Sequence, residues 1–129
     1  VMTVHRFEDL EIWKLARTLC TKIRDISLNT ALIKDYGLKD QILDSSGSVM
    51  DNIAEGFERD GRKEFIQFLY IAKGSLGETR SQLTRCYDAR HISEETFNEI
   101  HSECIHLSAK IKNFINYLSV SDFDGLKKK

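Results

Sequence analysis

The stretch that decides the fold runs from Gln41 to Glu78 and reads QILDSSGSVMDNIAEGFERDGRKEFIQFLYIAKGSLGE. Apolar residues recur there at steps of three and four, the spacing of an amphipathic helix, on both sides of Asp60-Gly61. A glycine at that point stops the first helix, so the stretch predicts two long helices joined by a tight turn. Serines and glycines occupy positions where a bundle usually places leucine or isoleucine, which predicts a close approach between the two helices.

Apolar periodicity also sets the expected bounds of the first three helices. The first helix is predicted from about Glu8 to Ser27, and the segment from Leu28 to Gly37 is predicted to be a loop. The second helix begins near Leu38 and ends at the Asp60-Gly61 turn, and the third runs from about Arg62 to Ala89.

A fourth helix follows Ser93. This serine stands before Glu94 and Glu95, and a hydroxyl followed by acidic residues is typical of a capped helix start. The apolar residues that follow alternate steps of three and four without a fault, which is the seam of a left-handed bundle. They are Phe97, Ile100, Cys104, Leu107, Ile111, Phe114 and Leu118.

Four amphipathic helices with short connections bury their apolar sides most simply as an antiparallel up-and-down four-helix bundle. The chain has 129 residues, no proline, 41% hydrophobic residues and 30% charged residues, which suits one domain built from long helices. We therefore predict an all-α fold with a single domain over residues 1–129, whose tail is frayed from about residue 120.

The charge balance and hydropathy bound the function. There are 19 basic and 20 acidic residues, a formal charge of −1, so contact with nucleic acid would need a local basic patch. The first residues lack the apolar run of a signal peptide, and no stretch approaches the roughly 18 apolar residues of a membrane span. We expect a cytoplasmic protein without a membrane partner.

Three cysteines, Cys20, Cys86 and Cys104, lie far apart on apolar helical rows. An odd number of thiols with this placement is typical of reduced, buried side chains, and the alternative is a disulfide or a metal role.

One pattern resembles a metal site. Glu103-x-x-His106 has the spacing of a di-iron motif in helical bundles, but the seam turns His106 away from the core. The only other match, Asp88-x-x-His91, falls at a helix end. We expect no metal, no other cofactor and no catalytic residues.

The segment FIQFLYIA, from Phe65 to Ala72, predicts self-association. At about 100° per residue its apolar side chains point nearly all round the helix, whereas one bundle core covers a single side. The predicted interface residues are Phe65, Ile66, Leu69 and Tyr70. The alternative is that Ile66 and Tyr70 are exposed apolar residues of no consequence.

Three groups of residues carry a family resemblance. They are Phe7-x-x-Leu10-x-Ile12-Trp13, then Gln41 with Ser48-x-x-x-Asn52-Ile53-Ala54-Glu55-Gly56, and Phe65-x-x-Phe68-Leu69-x-x-Ala72-x-Gly74-Ser75-x-x-Glu78. In these the chain resembles the four-helix-bundle proteins encoded in intervening sequences of bacterial large-subunit ribosomal RNA genes. It is also similar to the accessory proteins of diversity-generating retroelements.

The resemblance implies an antiparallel bundle that assembles as a ring of five protomers. In the retroelement relatives such a ring binds a reverse transcriptase and nucleic acid through a basic surface. Where relatives commonly carry a basic pair soon after the helix-two glutamine, this chain has Leu43 and Asp44, which weakens a nucleic-acid role; Met50 replaces a frequent proline.

The small residues of the motif are expected to pack helices together. Gly74, Ser75 and Gly77 weaken a helix, by about 1 kcal/mol for each glycine, and close approach of a neighbouring helix would compensate. Gly56 lies on the buried side of the second helix. A phosphate-binding loop is the alternative, but it requires a strand before the glycines, and the flanking pattern is helical.

The polar residues of the motif are expected to hydrogen-bond across helices and fix their register. Asn52, Glu55 and Glu78 lie at the edges of the apolar stripes, with Gln41, Ser48 or Ser75 as partners. The alternative is a carboxylate pair for acid–base chemistry, but no histidine or lysine stands obviously beside it.

Several cations could contact nucleic acid, each with interspersed acids that favour an ordinary solvated surface. They are Lys14, Arg17, Arg24, Arg59, Arg62, Lys63, Lys73 and Arg80. Five copies of a weak patch would form one multivalent surface.

We therefore expect a non-enzymatic, oligomeric scaffold or adaptor. Its expected partners are further copies of itself and a protein, such as a nucleic-acid enzyme, in a nucleic-acid-related process. The alternative is an accessory protein that binds RNA or DNA directly and with weak specificity.

Overall fold

The computed structural model describes residues 4–120. Four α-helices make up the body of the chain, preceded and interrupted by two short 3-10 helices at Phe7–Asp9 and Ala31–Lys34. The helices are α1 (Glu11–Asn29), α2 (Tyr36–Glu58), α3 (Arg62–Asp88) and α4 (Glu94–Val120). Each packs against the next, and α4 returns to α1. The predicted all-α, antiparallel up-and-down four-helix bundle is confirmed. The predicted frayed tail lies outside the described residues except for Val120, the last residue of α4.

The core is one continuous cluster formed by a stripe from every helix. Phe65 lies at its centre and makes edge-to-face contacts with Phe57 of α2 and Phe114 of α4, at ring-centroid distances of 5.9 and 5.6 Å. Such contacts add to the hydrophobic stabilisation from burial of the rings. The predicted seam of α4 is largely buried, but Phe114 is half-buried and Ile115 takes the interior position beside it.

The first helix and the loop after it were predicted incorrectly in detail. Residues 7–9 form a separate 3-10 turn, and extended backbone at Leu10 delays α1 to Glu11. The segment predicted as a loop contains the second 3-10 helix, in which Leu32 is completely buried, and α2 begins at Tyr36. The Thr30 hydroxyl caps this short helix by accepting a hydrogen bond from the Leu32 N–H.

Two turns set the directions of α3 and α4. Gly61 has a φ of 140°, a conformation that favours glycine, so this residue allows the predicted turn between α2 and α3. After α3, Arg90 adopts a φ of 63° and the His91 N–H donates to the Cys86 carbonyl at 2.9 Å. This backbone bond satisfies a carbonyl of the last turn of α3.

Candidate functional site

A buried layer of hydroxyl groups joins α2 to α3. Ser45 Oγ lies 2.8 Å from Thr79 Oγ1 and donates to Gln82 Oε1 at 2.6 Å. Thr79 is completely buried and also donates to the Ser75 carbonyl at 3.0 Å. Each of these buried polar groups has a hydrogen-bond partner. The layer therefore fixes the register of the two helices without leaving a buried polar group unpaired.

A second contact lies one turn further along α2. Ser48 Oγ is 2.9 Å from Ser75 Oγ, and the Asn52 amide donates to both the Ser48 carbonyl and its hydroxyl. The Ser48–Ser75 contact joins α2 to α3, whereas both Asn52 bonds stay within α2. The prediction that Asn52, Glu55 and Glu78 hydrogen-bond across helices is therefore wrong among the described residues, because Asn52 and Glu55 reach partners one turn away in their own helix. Gln41 is bonded by Arg85 and Glu55 pairs with Arg59, both at 2.8 Å, so these two motif residues do not join that contact.

The serines of these contacts, Ser45, Ser48 and Ser75, line a cavity of about 310 Å³ between α2 and α3, which we call the serine groove. Its lining residues are Gln41, Asp44, Ser45, Ser48, Ser75, Glu78 and Gln82. Within residues 4–120, the carboxylates of Asp44 and Glu78 have neither a hydrogen bond nor an ion pair. Asp44, Ser45 and Gln82 were missed as site residues, although Ser45 repeats the spacing of Gln41 and Ser48.

Two larger clefts differ from the serine groove in that their charged residues are already paired. The cleft of about 480 Å³ between the start of α1 and the end of α4 contains Lys110, which lies 3.5 Å from Glu11. The cleft of about 670 Å³ at the other end contains Lys22, which binds Glu99 at 2.7 Å and also Glu103. Of these three clefts, the serine groove is the one whose lining carboxylates include groups with neither a hydrogen bond nor an ion pair among the described residues.

The close helix approach lies at Gly56 and not at Gly74 or Gly77. A Cβ on Gly56 would meet Phe68 Cβ at 2.6 Å and the Phe65 ring at 3.0 Å. A Cβ on Gly74 or Gly77 would meet no atom within 4 Å in the part of the chain that the structure describes. The prediction that these two glycines pack against a neighbouring helix is wrong within the protomer, because only Ser75 of that run turns inward.

Two of the four residues predicted to form the oligomer interface belong to the core of the protomer. Phe65 and Leu69 are completely buried in the protomer, so they offer no surface to another copy and their assignment as interface residues was wrong. Ile66 is half-buried, and Tyr70 remains 48% exposed. Ile71, which was not singled out, is 51% exposed and extends the apolar surface of α3.

The predicted nucleic-acid-binding cations lie on separate surfaces. Lys14, Arg17 and Arg24 are exposed along α1, at positions that share one side of the helix. Arg59 is paired with Glu55 near the α2–α3 turn, where the exposed Arg62 and Lys63 also lie. The fold brings together the first set and not all eight residues.

Lys73 and Arg80 lie on the side of α3 that approaches α4. On that side Tyr70 receives a hydrogen bond from the Lys112 ammonium of α4 at 3.0 Å, and the positive charge of Arg80 acts on the nearby Cys104 thiol. Both cations are half-buried and have no ion-pair partner in the part of the chain that the structure describes. We call Ile66, Tyr70, Lys73, Gly77 and Arg80, with Lys112, the basic face.

The cysteines are free thiols. Burial raises the pKa of Cys86 to about 11 and that of Cys104 to about 12. Burial likewise raises the pKa of Cys20, whose thiol donates to the Ser46 carbonyl at 3.1 Å. Since the thiolate is the nucleophile, these environments suppress cysteine reactivity.

The residues of the metal-like patterns have other contacts. Glu103 pairs with Lys22, whereas His106 is exposed. His91 Nε2 lies 2.9 Å from Asp35 Oδ2, and this hydrogen bond lowers the pKa of Asp35. In residues 4–120 no three histidine, cysteine, aspartate or glutamate side chains come together as a set that could hold a metal ion. Among the described helices, none is long and apolar enough to cross a membrane.

These features define a small all-α bundle whose second and third helices meet through hydroxyl groups. The family model for the 23S rRNA-intervening sequence proteins matches residues 8–113, and the chain belongs to that family. The similarity to retroelement accessory proteins stays a prediction. No curated protein matches the sequence significantly.

Comparison with solved structures agrees on the fold. One similar structure is a protein of unknown function from the S23 ribosomal protein family of Bacteroides thetaiotaomicron, with a TM-score of 0.74. It is 21% identical in sequence, and the match covers 81% of this chain and 97% of that chain. At this identity the likeness shows the four-helix fold alone.

Proposed function

We propose that the protein is a non-enzymatic, oligomeric scaffold or adaptor that acts through a partner in a nucleic-acid-related process. The observation that carries the proposal is the outer side of α3, where Tyr70 and Ile71 are about half exposed. Large apolar side chains exposed side by side favour contact with another protein surface. The membership of the intervening-sequence family supports the nucleic-acid context.

The glycines of α3 support the same conclusion. Gly74 and Gly77 each cost about 1 kcal/mol in helix propensity, and no atom of residues 4–120 would lie within 4 Å of a Cβ added to either. Together with Tyr70 they leave a smooth surface that a neighbouring backbone can approach closely. We propose that further copies of this chain cover this surface, as a pentamer according to the family resemblance.

A scaffold role also suits the chemistry of the polar residues. The hydroxyls of Ser45, Ser48 and Thr79 are engaged in contacts between helices, and burial raises the pKa of Cys86 and Cys104. These groups stabilise the bundle rather than present an activated nucleophile.

The test is the mass of the protein in solution. We expect light scattering at micromolar concentration to give a multiple of the protomer mass, and the double variant Tyr70→Glu, Ile71→Glu to give the protomer mass with unchanged helicity. Leu28→Glu, Ile33→Glu is the matched control, because these apolar residues are similarly exposed at a different corner, and it should keep the wild-type mass. A monomeric wild-type protein would overturn the proposal.

A second candidate function is direct, weakly specific binding of RNA or DNA. The exposed α1 stripe of Lys14, Arg17 and Arg24 favours it, because these cations have no ion-pair partner among the described residues. Repetition around an assembled ring would multiply a weak electrostatic contact. The partner-mediated role stands first because the formal charge of the whole chain is −1.

A further inference from the structure

The two sides of α3 carry opposite, unpaired charges. Toward α2 lies the serine groove, where the carboxylates of Asp44 and Glu78 have no cationic partner within residues 4–120. Toward α4 lies the basic face, where Lys73 and Arg80 have no anionic partner within the same residues. Four charges on neighbouring surfaces of one protomer thus remain uncompensated.

We propose that the serine groove binds the cationic side chains of the basic face of a second copy of this chain. This inference rests on the proposed oligomeric scaffold and names the contact that would build it. In it, Lys73 and Arg80 of one protomer enter the serine groove of the next and pair with Asp44 and Glu78. The site is incomplete in a single protomer, because its cations belong to the neighbouring copy.

The lining of the serine groove suits an ammonium or guanidinium group. Two carboxylates on opposite walls supply charge, Asp44 from α2 and Glu78 from α3. Gln41 and Gln82 add polar amide groups at the sides, and serines complete the lining. A guanidinium has five N–H donors and an ammonium has three, so both are satisfied by carboxylate and hydroxyl oxygens around them.

The spacing of the two cations on the basic face also suits the serine groove. Lys73 and Arg80 are seven residues apart, which places them two helical turns and about 10.5 Å from each other along α3. They therefore share one side of the helix and can enter a cleft that follows the helix direction.

The open glycines offer a reason why the two surfaces can meet. Gly77 of the basic face and the neighbouring Gly74 lie on the exposed side of α3, and a methyl group added to either would have no neighbouring atom of the described residues within 4 Å. A neighbouring backbone can approach there without displacing a side chain. This brings the flexible Lys73 and Arg80 side chains within reach of carboxylates on the next protomer.

The charge-reversal variant Asp44→Lys, Glu78→Lys tests the acidic half of the contact. Both residues are exposed, so the bundle should keep its helical circular dichroism. We expect the dissociation constant of the oligomer, measured by analytical ultracentrifugation, to rise at least tenfold. Lys73→Glu, Arg80→Glu should have the same effect, and the milder Asp44→Asn, Glu78→Gln replaces the first variant if it fails to fold.

The decisive measurement combines all four reversals in one chain. The quadruple variant restores opposite charges across the contact, so we expect its dissociation constant to return to within about threefold of the wild-type value. Glu58→Lys, Asp88→Lys is the matched control for Asp44→Lys, Glu78→Lys, because it makes the same change of net charge as that double variant at exposed ends of α2 and α3. It should assemble like the wild type.

The outcomes separate this contact from the proposed function. An oligomeric wild type whose charge-reversed variants assemble normally would overturn the serine groove contact and leave the scaffold proposal intact. Failure of the quadruple variant to reassemble would also overturn it, provided that the variant is folded. A monomeric wild type would overturn both proposals.

Discussion

Ser45 Oγ lies 2.8 Å from Thr79 Oγ1 in the interior between α2 and α3, and Thr79 is completely buried. The threonine hydroxyl also donates to the Ser75 carbonyl one turn earlier. A polar contact of this kind links the two helices at one register, since sliding either helix by a residue would separate the hydroxyls.

We expect Thr79→Val to reduce the free energy of unfolding by about 1 kcal/mol, because valine has the same shape and lacks the hydroxyl. The loss is limited because Ser45 keeps Gln82 as an acceptor at 2.6 Å. Urea unfolding followed by circular dichroism measures the change. Thr84→Val is the matched control: its hydroxyl also bonds the carbonyl one turn back but is exposed, so the effect should stay within about 0.5 kcal/mol.

Gly56→Ala should destabilise the bundle by about 1–3 kcal/mol. The added methyl group would lie 2.6 Å from Phe68 Cβ, and both backbones must move apart to accept it. Gly47→Ala, on the same helix with open space around it, should instead stabilise by about 0.5–1 kcal/mol through helix propensity. Thermal unfolding of the two variants under one condition gives the comparison, and equal melting temperatures would contradict it.

Other glycines, at the α2–α3 turn and within α3, show how far the sequence predicts the structure. Periodicity located four helices and the turn at Gly61, because a long apolar stripe has one stable place in a bundle. It could not show which side of α3 is covered, so Gly74 and Gly77 were predicted to pack and in fact face open space. The short helix around Leu32 was missed because four residues are too few to display a period.

The site was predictable in part for a similar reason. The meeting of Ser48 with Ser75 follows the expected pairing of the small residues of α2 and α3. The bond of Asn52 to Ser48 within α2 was not expected, because the sequence pattern pointed to a partner on another helix. The bond from Arg85 to Gln41 was not expected, because long side chains reach partners that spacing along the chain does not reveal. The free carboxylates of the serine groove became apparent only from the arrangement of α2 beside α3.

Acidification should weaken the bond between Asp35 and His91. The hydrogen bond from His91 lowers the pKa of Asp35 below its ordinary value of 3.8. Asp35 therefore takes up a proton more readily in the unfolded state than in the folded state. The stability that its bond to His91 contributes is complete above about pH 3.8, and it is lost as the pH falls through the lower pKa that Asp35 has in the folded protein. Urea unfolding of the wild type and Asp35→Asn across this range should show a stability difference that is constant near neutral pH and shrinks in acid. Parallel pH profiles for the two proteins would contradict the prediction.

Thiol labelling should follow burial. Cys104 and Cys86 are fully buried and have raised pKa values of about 12 and 11, whereas Cys20 is only partly buried. With Ellman's reagent at mildly alkaline pH, we expect Cys20 to react first and the other two only as the protein unfolds. Single-cysteine variants assign the phases, and full labelling in urea is the control. If Cys104 in the folded protein reacted as fast as Cys20, the packing of α4 against α3 would have to open readily.

Binding to nucleic acid, where it occurs, should be electrostatic and carried by the stripe of Lys14, Arg17 and Arg24 on α1. For single-stranded RNA, replacing the three by glutamine should reduce the slope of log K against log salt by about 2 per contacting protomer, because three phosphate contacts at about 0.7 each are lost. Sequence preference should change little, since phosphate contacts position a protein without reading bases. Arg6→Gln, Lys34→Gln, Arg90→Gln removes the same charge from three exposed positions outside the candidate cation sets and the basic face, and should leave the slope nearly unchanged. Fluorescence anisotropy titrations at several salt concentrations measure both variants.

Equal slopes for the two variants would exclude the α1 stripe as the surface that binds nucleic acid. If the wild type bound neither structured RNA, single-stranded RNA nor duplex DNA at low salt, direct binding would be eliminated and the role through a protein partner would remain.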